Sequence, residues 1–544
     1  MAHVTGCLCR FCLVMGLLGL PFPALQASPA LPPHVEGELL VRYGPGMLTG
    51  VRAALPHGTT VEPVTPDTVR VILPAGEDLA QMQDRLARDP RVRHVQPNYI
   101  KRIQLLPNDH NFVLQWGMHN LGWPVPLPNG PDVAGTAGAD IDAVSAWDVT
   151  TGSGEIVVAL IDTGVQLDHR ELAVNLWNNP NEAPNGVDDD NNGYVDDIRG
   201  WDWVGNDSLP IDNEGHGTGL AGIIAARGNN GFQIAGLNWQ VSLMVLRTFD
   251  SQGVSDTRSI VKAIRYAVDH GARIINASYG AVGGTAPGTP GFDEAEYEAY
   301  RYAAERGVLV VAAACNNGAV NDGPRACVPA SYDLPNIVSV AASDMNDRIA
   351  DFSNRGAESV DLAAPGVGIV TVAWRNRSLG AYTVVDGTSI ASAFVTGAAA
   401  LLQARARELG LTLSAERLRA ILVDSTDILP GLSGVVASSG RLNIARALAA
   451  LEDFARTQGT DGEGAQNGAG GGGGNGGSSG GGGAALWVLV LAGVWCWGAM
   501  IPASSTTVPW RGWWPSARVL TSCIPSGRWP PVRWQARSSS GSSS

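Results

Sequence analysis

From Glu155 onward, short, predominantly apolar runs alternate with segments whose apolar residues recur at helical spacing. EIVVALID (155–162), VSLMVLRTF (241–249), ARIINAS (272–278) and VLVVAAA (308–314) are predominantly apolar runs without strict alternation, the pattern of strands buried on both faces. SDTRSIVKAIRYAVDHG (255–271) instead places Ile260, Ile264, Ala267 and Val268 on one helical face and stops at Gly271. EAEYEAYRYAAERG (294–307) is a second helix, closed by Gly307. This rhythm predicts an α/β fold: a mainly parallel β-sheet with helices on both faces. Ligands of such sheets sit beyond the carboxyl ends of the strands, where Asp162, Ser278 and Asn316 fall.

Residues 34–103 have a different pattern. GELLVRY, TVRVILP and RVRHVQPNYI are strand-like, and DLAQMQDRLARD has helical spacing, so a small separate α+β unit is expected. The turn-rich PNDHNFVLQWGMHNLG follows and sets a boundary near Leu106–Asn108, which leaves 108–455 as the main domain.

The two ends of the chain do not read as packed structure. Arg10, an apolar run and the small residues before Ala27 make residues 1–27 a secretory signal peptide, with an N-terminal membrane anchor as the alternative. Residues 456–483 are a glycine-dominated linker, and 484–501 form an uncharged apolar segment just long enough to span a bilayer. Residues 502–544 contain no Asp, Glu or Lys and suggest no fold.

Charge and cysteine usage narrow the function. A formal net charge of −14 argues against nucleic acid as the main partner. Of seven cysteines, only Cys315 and Cys327 lie in the main domain. In an exported protein they suggest one disulfide, with a free buried pair as the alternative.

Three short motifs carry candidate chemistry. Asp162 ends an apolar strand in ALIDTG, His216 is set between glycines in NEGHGTGLAG, and Ser389 stands where VVDGTSIASA enters a long helix. Each has an ordinary structural reading: a strand-end aspartate, a turn histidine, a helix N-cap. The chain order Asp, His, Ser is one of those in which an acyl-transfer triad occurs, and the alternative order with a G-x-S-x-G elbow is missing.

With these motifs the chain resembles the subtilisin-like serine proteases (subtilases, peptidase family S8). Asp162 lies in a D-[ST]-G pattern, His216 in H-G-T and Ser389 in G-T-S-x-A. VVAAACNNG resembles the strand ending in the family's oxyanion asparagine, which would be Asn316. INASYG resembles the segment whose backbone pairs with extended substrate, implying Ser278, Tyr279 and Gly280. Gly219, Ala393, Phe394 and Cys315 depart from common family residues. The resemblance implies a secreted serine endopeptidase made as a zymogen. Residues 34–103 would be its inhibitory propeptide, removed autocatalytically between about Ile100 and Pro107. The competing function is a catalytically inactive calcium-binding envelope or adhesion protein on the same fold.

DDDNNGYVDD (188–197) contains the D-x-D-x-N-G core of a calcium loop: Asp188, Asp190, Asn192 and Gly193, with the Tyr194 carbonyl and Asp196 continuing the oxygen shell. Arg199 stands where an EF-hand has glutamate, so Asp197 or a distant carboxylate must complete it. Structural Ca²⁺ is the expected cofactor, as the family resemblance also implies, with a solvated acidic loop as the alternative. The glycine run, apolar segment and Arg511 resemble C-terminal sorting signals of Gram-negative exoproteins. They imply an extracellular or envelope-associated protein with transient membrane anchoring, but the chain departs from such signals in its long continuation past Arg511, which leaves a permanent anchor or an artefactual tail as alternatives. Proteins and peptides are the expected substrates.

Overall fold

The computed structural model describes residues 34–100, 105–125, 133–376 and 378–463, with side chains up to 457. The expected signal peptide, apolar segment and tail lie outside these residues, as does the linker beyond 463. Among the described residues no helix is long and apolar enough to cross a membrane. The chain divides into two compact units, Met1–Ile103 and Gln104–Ser544.

The first unit is a four-stranded antiparallel sheet in the order Thr60–Thr65, Thr68–Ile72, His34–Tyr43, Val92–Tyr99. The Leu79–Ala87 helix buries Met82 and Leu86 in a core with Leu39, Val41, Val69, Val71 and Val95. Asp78 caps that helix by accepting from the Gln81 N–H at 2.9 Å, satisfying one of its unpaired first-turn donors. Two elements have no counterpart in the sequence reading, the Leu48–Ala53 helix and the Thr60–Thr65 strand. Thr60–Thr65 is an edge strand, exposed at five of its six positions and interrupted by Pro63, so it carries no hydrophobic alternation.

The second unit is built on a nine-stranded sheet. Its order is Asp427–Ile428, Gly440–Arg441, Leu362–Pro365, Ile337–Ser343, Leu309–Ala313, Ile274–Ala277, Gly152–Asp162, Gln240–Arg247, Gly200–Asp202. All neighbours are parallel except the first pair. Period-two alternation along Gly152–Asp162 divides the core. Ile156, Val158 and Leu160 join Leu220 and Ile223 of the His216–Ala225 helix and Val395, Ala398 and Leu402 of the Thr388–Glu408 helix. Ala159 and Ile161 join Ile260, Ile264 and Ala267 of the Thr257–Asp269 helix and Tyr300 of the Glu294–Glu305 helix. The expected two-faced α/β architecture is what forms.

Local chemistry sets the helix ends. Asp256 and Asp293 are N-caps, accepting from the Ser259 and Glu296 N–H groups at 2.7 and 3.1 Å; such caps typically contribute about 1 kcal/mol each. Gly271 and Gly307 follow the two helices at φ 81° and 68°, a conformation glycine adopts without a Cβ penalty. The Ile444–Glu463 helix, anchored in the core by Leu448 and Leu451, runs through the expected domain boundary at 455.

Candidate active site

The carboxyl ends of three adjacent strands converge. Asp162 is the last residue of its strand, Ser278 follows Ile274–Ala277 directly, and Asn316 lies three residues beyond Leu309–Ala313. The residues expected to act together are therefore placed on one edge by the parallel topology.

Asp162 is 2% exposed and faces the His216 imidazole, whose Nδ1 lies 2.8 Å from Oδ1 and 3.0 Å from Oδ2. The Thr163 N–H also donates to Oδ1 at 2.8 Å, which fixes the carboxylate plane. His216 begins its helix, and its backbone N–H donates to Glu214 Oε2 at 2.8 Å. The glycines beside it have a steric reason. A Cβ at Gly217 would lie 2.2 Å from the Gly164 carbonyl oxygen and 3.0 Å from Asp162 Oδ1, so only glycine lets the helix come this close to the D-T-G turn. Gly219 is buried in the next turn, and its carbonyl accepts from Thr371 Oγ1 at 2.6 Å.

The His216 imidazole is held above its ordinary pKa of 6.5. Burial is the largest single influence and opposes the charged form, but the Asp162 carboxylate reverses it by charge and hydrogen bond, with Glu214 and Asp212 adding. Asp212, which the sequence reading missed, organises the surrounding turn. It accepts from Thr163 Oγ1, the Glu214, Gly215 and Thr218 N–H groups, and Thr218 Oγ1. Its spacing ahead of His216 in IDNEGHGT is the signal that was available, an Asx turn leading into a helix.

Ser389 lies in the first turn of the Thr388–Glu408 helix and is 7% exposed. The strand edge grips it from below: Ser278 Oγ donates to the Ser389 carbonyl at 3.1 Å and lies 2.8 Å from Ser392 Oγ. Ser392 Oγ donates to the same carbonyl at 2.9 Å. Ahead of it, Gly387 has φ 152°, and a Cβ there would lie 2.9 Å from Ser389 Oγ and 3.7 Å from both Asn316 Nδ2 and the Ser389 nitrogen. One small volume is thus bordered by a hydroxyl, a backbone N–H at a helix start and a side-chain amide. That is the donor set for an oxyanion formed by attack of the hydroxyl.

Thr388, also missed from sequence, sets the orientation of Asn316. Its backbone N–H and its Oγ1 both donate to Asn316 Oδ1 at 2.9 Å. A backbone N–H can only donate, so its partner is the oxygen, and the NH₂ group is left for the adjacent volume.

Of the three expected substrate-strand residues, Ser278 is buried and its side chain is spent on the serine helix. Tyr279 is partly buried, with its hydroxyl bonded to that of Tyr300 and its ring 5.1 Å from Phe249. Gly280 is partly buried against the Cys315–Cys327 disulfide, which the structure forms with its Cα atoms 6.1 Å apart. The departures at 393 and 394 are matters of packing. Ala393 and Phe394 are buried, and the Phe394 ring occupies the space a Cβ at Gly117 would need.

The acidic loop gathers a carboxylate cluster that differs from the expected ligand set. Ligand oxygens of Glu182, Asp190 and Asp197 lie within 4.8 Å of one another. Of the expected ligands only Asp190 belongs to this group, and Asp197 completes it as anticipated. Glu182, six residues ahead of the motif, gave no sequence signal. Asp188 and Asp196 instead close turns, Asp188 accepting from the Asn192 and Gly193 N–H groups and Asp196 from those of Asn185 and Gly186. Asn192 donates to Asp197 at 2.9 Å, while its Oδ1 accepts from the Tyr194 N–H. An all-oxygen set with two buried carboxylates fits a hard divalent cation such as Ca²⁺.

Comparisons with known proteins agree with this architecture. The Subtilase family profile (Peptidase_S8) matches residues 153–471. A thermophilic serine proteinase of Bacillus sp. (strain AK1) is 35% identical over 382 residues, covering 69% of this chain and 79% of that protein. Thermitase of Thermoactinomyces vulgaris is 36% identical over 308 residues, covering 57% of this chain and 93% of that protein. A cell wall-associated protease of Bacillus subtilis (strain 168) is 30% identical over 323 residues, covering 59% of this chain and 30% of that protein. With a family match across more than half its length and a 35% identical serine proteinase covered to 79%, the chain belongs to the subtilase family and is a subtilisin-like serine endopeptidase.

Proposed function

We propose that this subtilase is exported as a zymogen and cleaves peptide bonds through an Asp162–His216–Ser389 triad. Ser389 Oγ attacks the scissile carbonyl, His216 takes its proton, and Asp162 orients the ring and stabilises the imidazolium. Asn316 Nδ2 and the Ser389 N–H receive the oxyanion, and His216 then returns the proton to the leaving amine. Ser278, Tyr279 and Gly280 offer an extended backbone to substrate. The observation that carries this reading is the shared volume beside Gly387, bordered by Ser389 Oγ, the Ser389 nitrogen and Asn316 Nδ2.

Residues 34–103 act as the inhibitory propeptide, and residues 1–27 and 484–501 direct export and transient envelope attachment. Glu182, Asp190 and Asp197 hold Ca²⁺, which neutralises the acidic loop. The buried position of two of these carboxylates supports a bound cation over a solvated acidic surface. Incubating purified wild-type precursor beside Ser389→Ala tests the proposal. Wild type should shorten at its N-terminus and digest casein, whereas Ser389→Ala should remain full length. If both stay intact and neither digests casein, the proposal fails.

A further inference from the structure

The residue before Asn316 is conformationally anomalous. Cys315 has φ 84°, in the left-handed region that glycine enters freely and a residue with a Cβ enters only under constraint. Its side chain supplies a constraint through the disulfide to Cys327, and both residues are buried. Cys327 belongs to the Arg325–Val328 strand, which pairs antiparallel with Ala281–Gly284, the continuation of the Ser278–Gly280 segment. The register sets Cys327 opposite Val282. A Cβ at Gly280 would lie 2.5 Å from Cys327 Sγ and 2.9 Å from Cys315 Sγ, so the bridge packs directly under that glycine. One covalent link thus ties the backbone that carries Asn316 to the strand paired with 281–284, and it packs against Gly280 of the segment expected to hold substrate.

Hydrogen bonds anchor the residues on either side of this point. The Cys315 carbonyl accepts from the Asn354 N–H at 2.8 Å, and Asn354 Oδ1 accepts from the Asn317 and Ala319 N–H groups. Asn321 Nδ2 donates to the Ala314 carbonyl at 2.9 Å. These bonds hold the peptide groups on both sides of residue 315, and they act through the loop backbone alone. The tie at that residue's own side chain is the disulfide.

We propose that the Cys315–Cys327 disulfide is a positioning device for the oxyanion donor. It holds residue 315 in the left-handed conformation, so the backbone presents Asn316 to Thr388, whose two bonds to Oδ1 then orient the amide before substrate arrives. This rests on the proposed role of Asn316. Cys315 and Cys327 are positioning residues, acting on the transition state through Asn316 rather than by contact.

Kinetics of three proteins against one peptide substrate, with active enzyme counted by titration, test this. In Cys315→Ser/Cys327→Ala the φ strain remains without the tie, and kcat should fall roughly 10-fold with KM little changed. In Cys315→Gly/Cys327→Ala the bridge is also gone, but glycine accepts the conformation, so kcat should return to within about 2-fold of wild type. If both variants keep wild-type kcat, or both lose it equally, the proposal is overturned. If KM rises while kcat holds, it is overturned as well, since the bridge would then serve substrate binding. Asn316→Ala is measured alongside: should that variant match wild type, it is the assigned role of Asn316 that fails, and not the positioning by the disulfide alone.

Discussion

Asp162 and Asp197 are both buried carboxylates, 2% and 0% exposed, and the chain neutralises them in different ways. Asp162 stands at the end of a strand and meets one partner that can become a cation, the His216 ring. Asp197 sits in an irregular loop and meets neutral donors: Asn179 and Asn192 at 2.9 Å and the Tyr266 hydroxyl. Glu182 and Asp190 crowd the same place. The first arrangement creates a proton acceptor with a raised pKa. The second gathers three carboxylates among neutral donors, with the His270 ring 3.9 Å from Asp190, a set whose oxygens fit a hard cation. Burial alone therefore does not define a role; what neutralises the charge does.

The largest effect should come from breaking the first arrangement. Asp162→Asn should lower kcat by about 10⁴, because the amide favours the wrong imidazole tautomer. The same pair sets the pH dependence. His216 must be neutral to act as base and is held above its ordinary value, so kcat/KM should rise with pH through an acidic limb displaced above 6.5. A limb at or below 6.5 would contradict the geometry of the pair. Asn316→Ala should follow, with kcat reduced by about 10²–10³ and KM nearly unchanged, as expected for a donor used in the transition state.

Effects on the acidic loop should appear in stability. Chelation should lower the melting temperature of the wild type by on the order of 5 °C, and Asp197→Asn should abolish that sensitivity. An equal response in both proteins would remove the cation from the comparison.

The smallest effect concerns a third buried carboxylate that has neither solution. Glu296 accepts from the Tyr332 hydroxyl at 2.9 Å, and burial, opposed in part by that bond and aided by the Asp293 charge, raises its pKa to about 7. Tyr279 and Tyr300 also face it electrostatically. A raised folded-state pKa contributes stability in full below the unfolded value near 4.5 and loses it as pH rises through about 7. Glu296→Gln should therefore melt a few degrees above wild type at pH 9 and within error of it at pH 5.

The sequence made the strands and helices of the main sheet legible because their signals are local. Predominantly apolar runs such as EIVVALID can be buried only on both faces, and Ile260, Ile264 and Ala267 can share only a helical face. Asp162, Ser278 and Asn316 were legible for a related reason, since parallel topology sends every strand end to the same edge, whereas His216 and Ser389 stand at helix starts and were found by motif. The quiet edge strand Thr60–Thr65 was not, being exposed and without alternation. Thr388, Asp212 and Glu182 were not either, because each acts through a contact whose partner is fixed only when the chain folds.

Two features mark that limit. NEGHGTG by itself determined that a histidine would sit among glycines, but why Gly217 is required depends on the Gly164 carbonyl, which the fold brings within 2.2 Å of a virtual Cβ. Two cysteines twelve residues apart suggested a disulfide but left a free buried pair as the alternative. The pairing of Arg325–Val328 with Ala281–Gly284, placed beside the residue before Asn316, decided for the bridge. Hydrophobic period and turn chemistry are written in neighbouring residues, whereas the direction of a side-chain amide or the charge balance of a carboxylate is set by atoms distant in sequence.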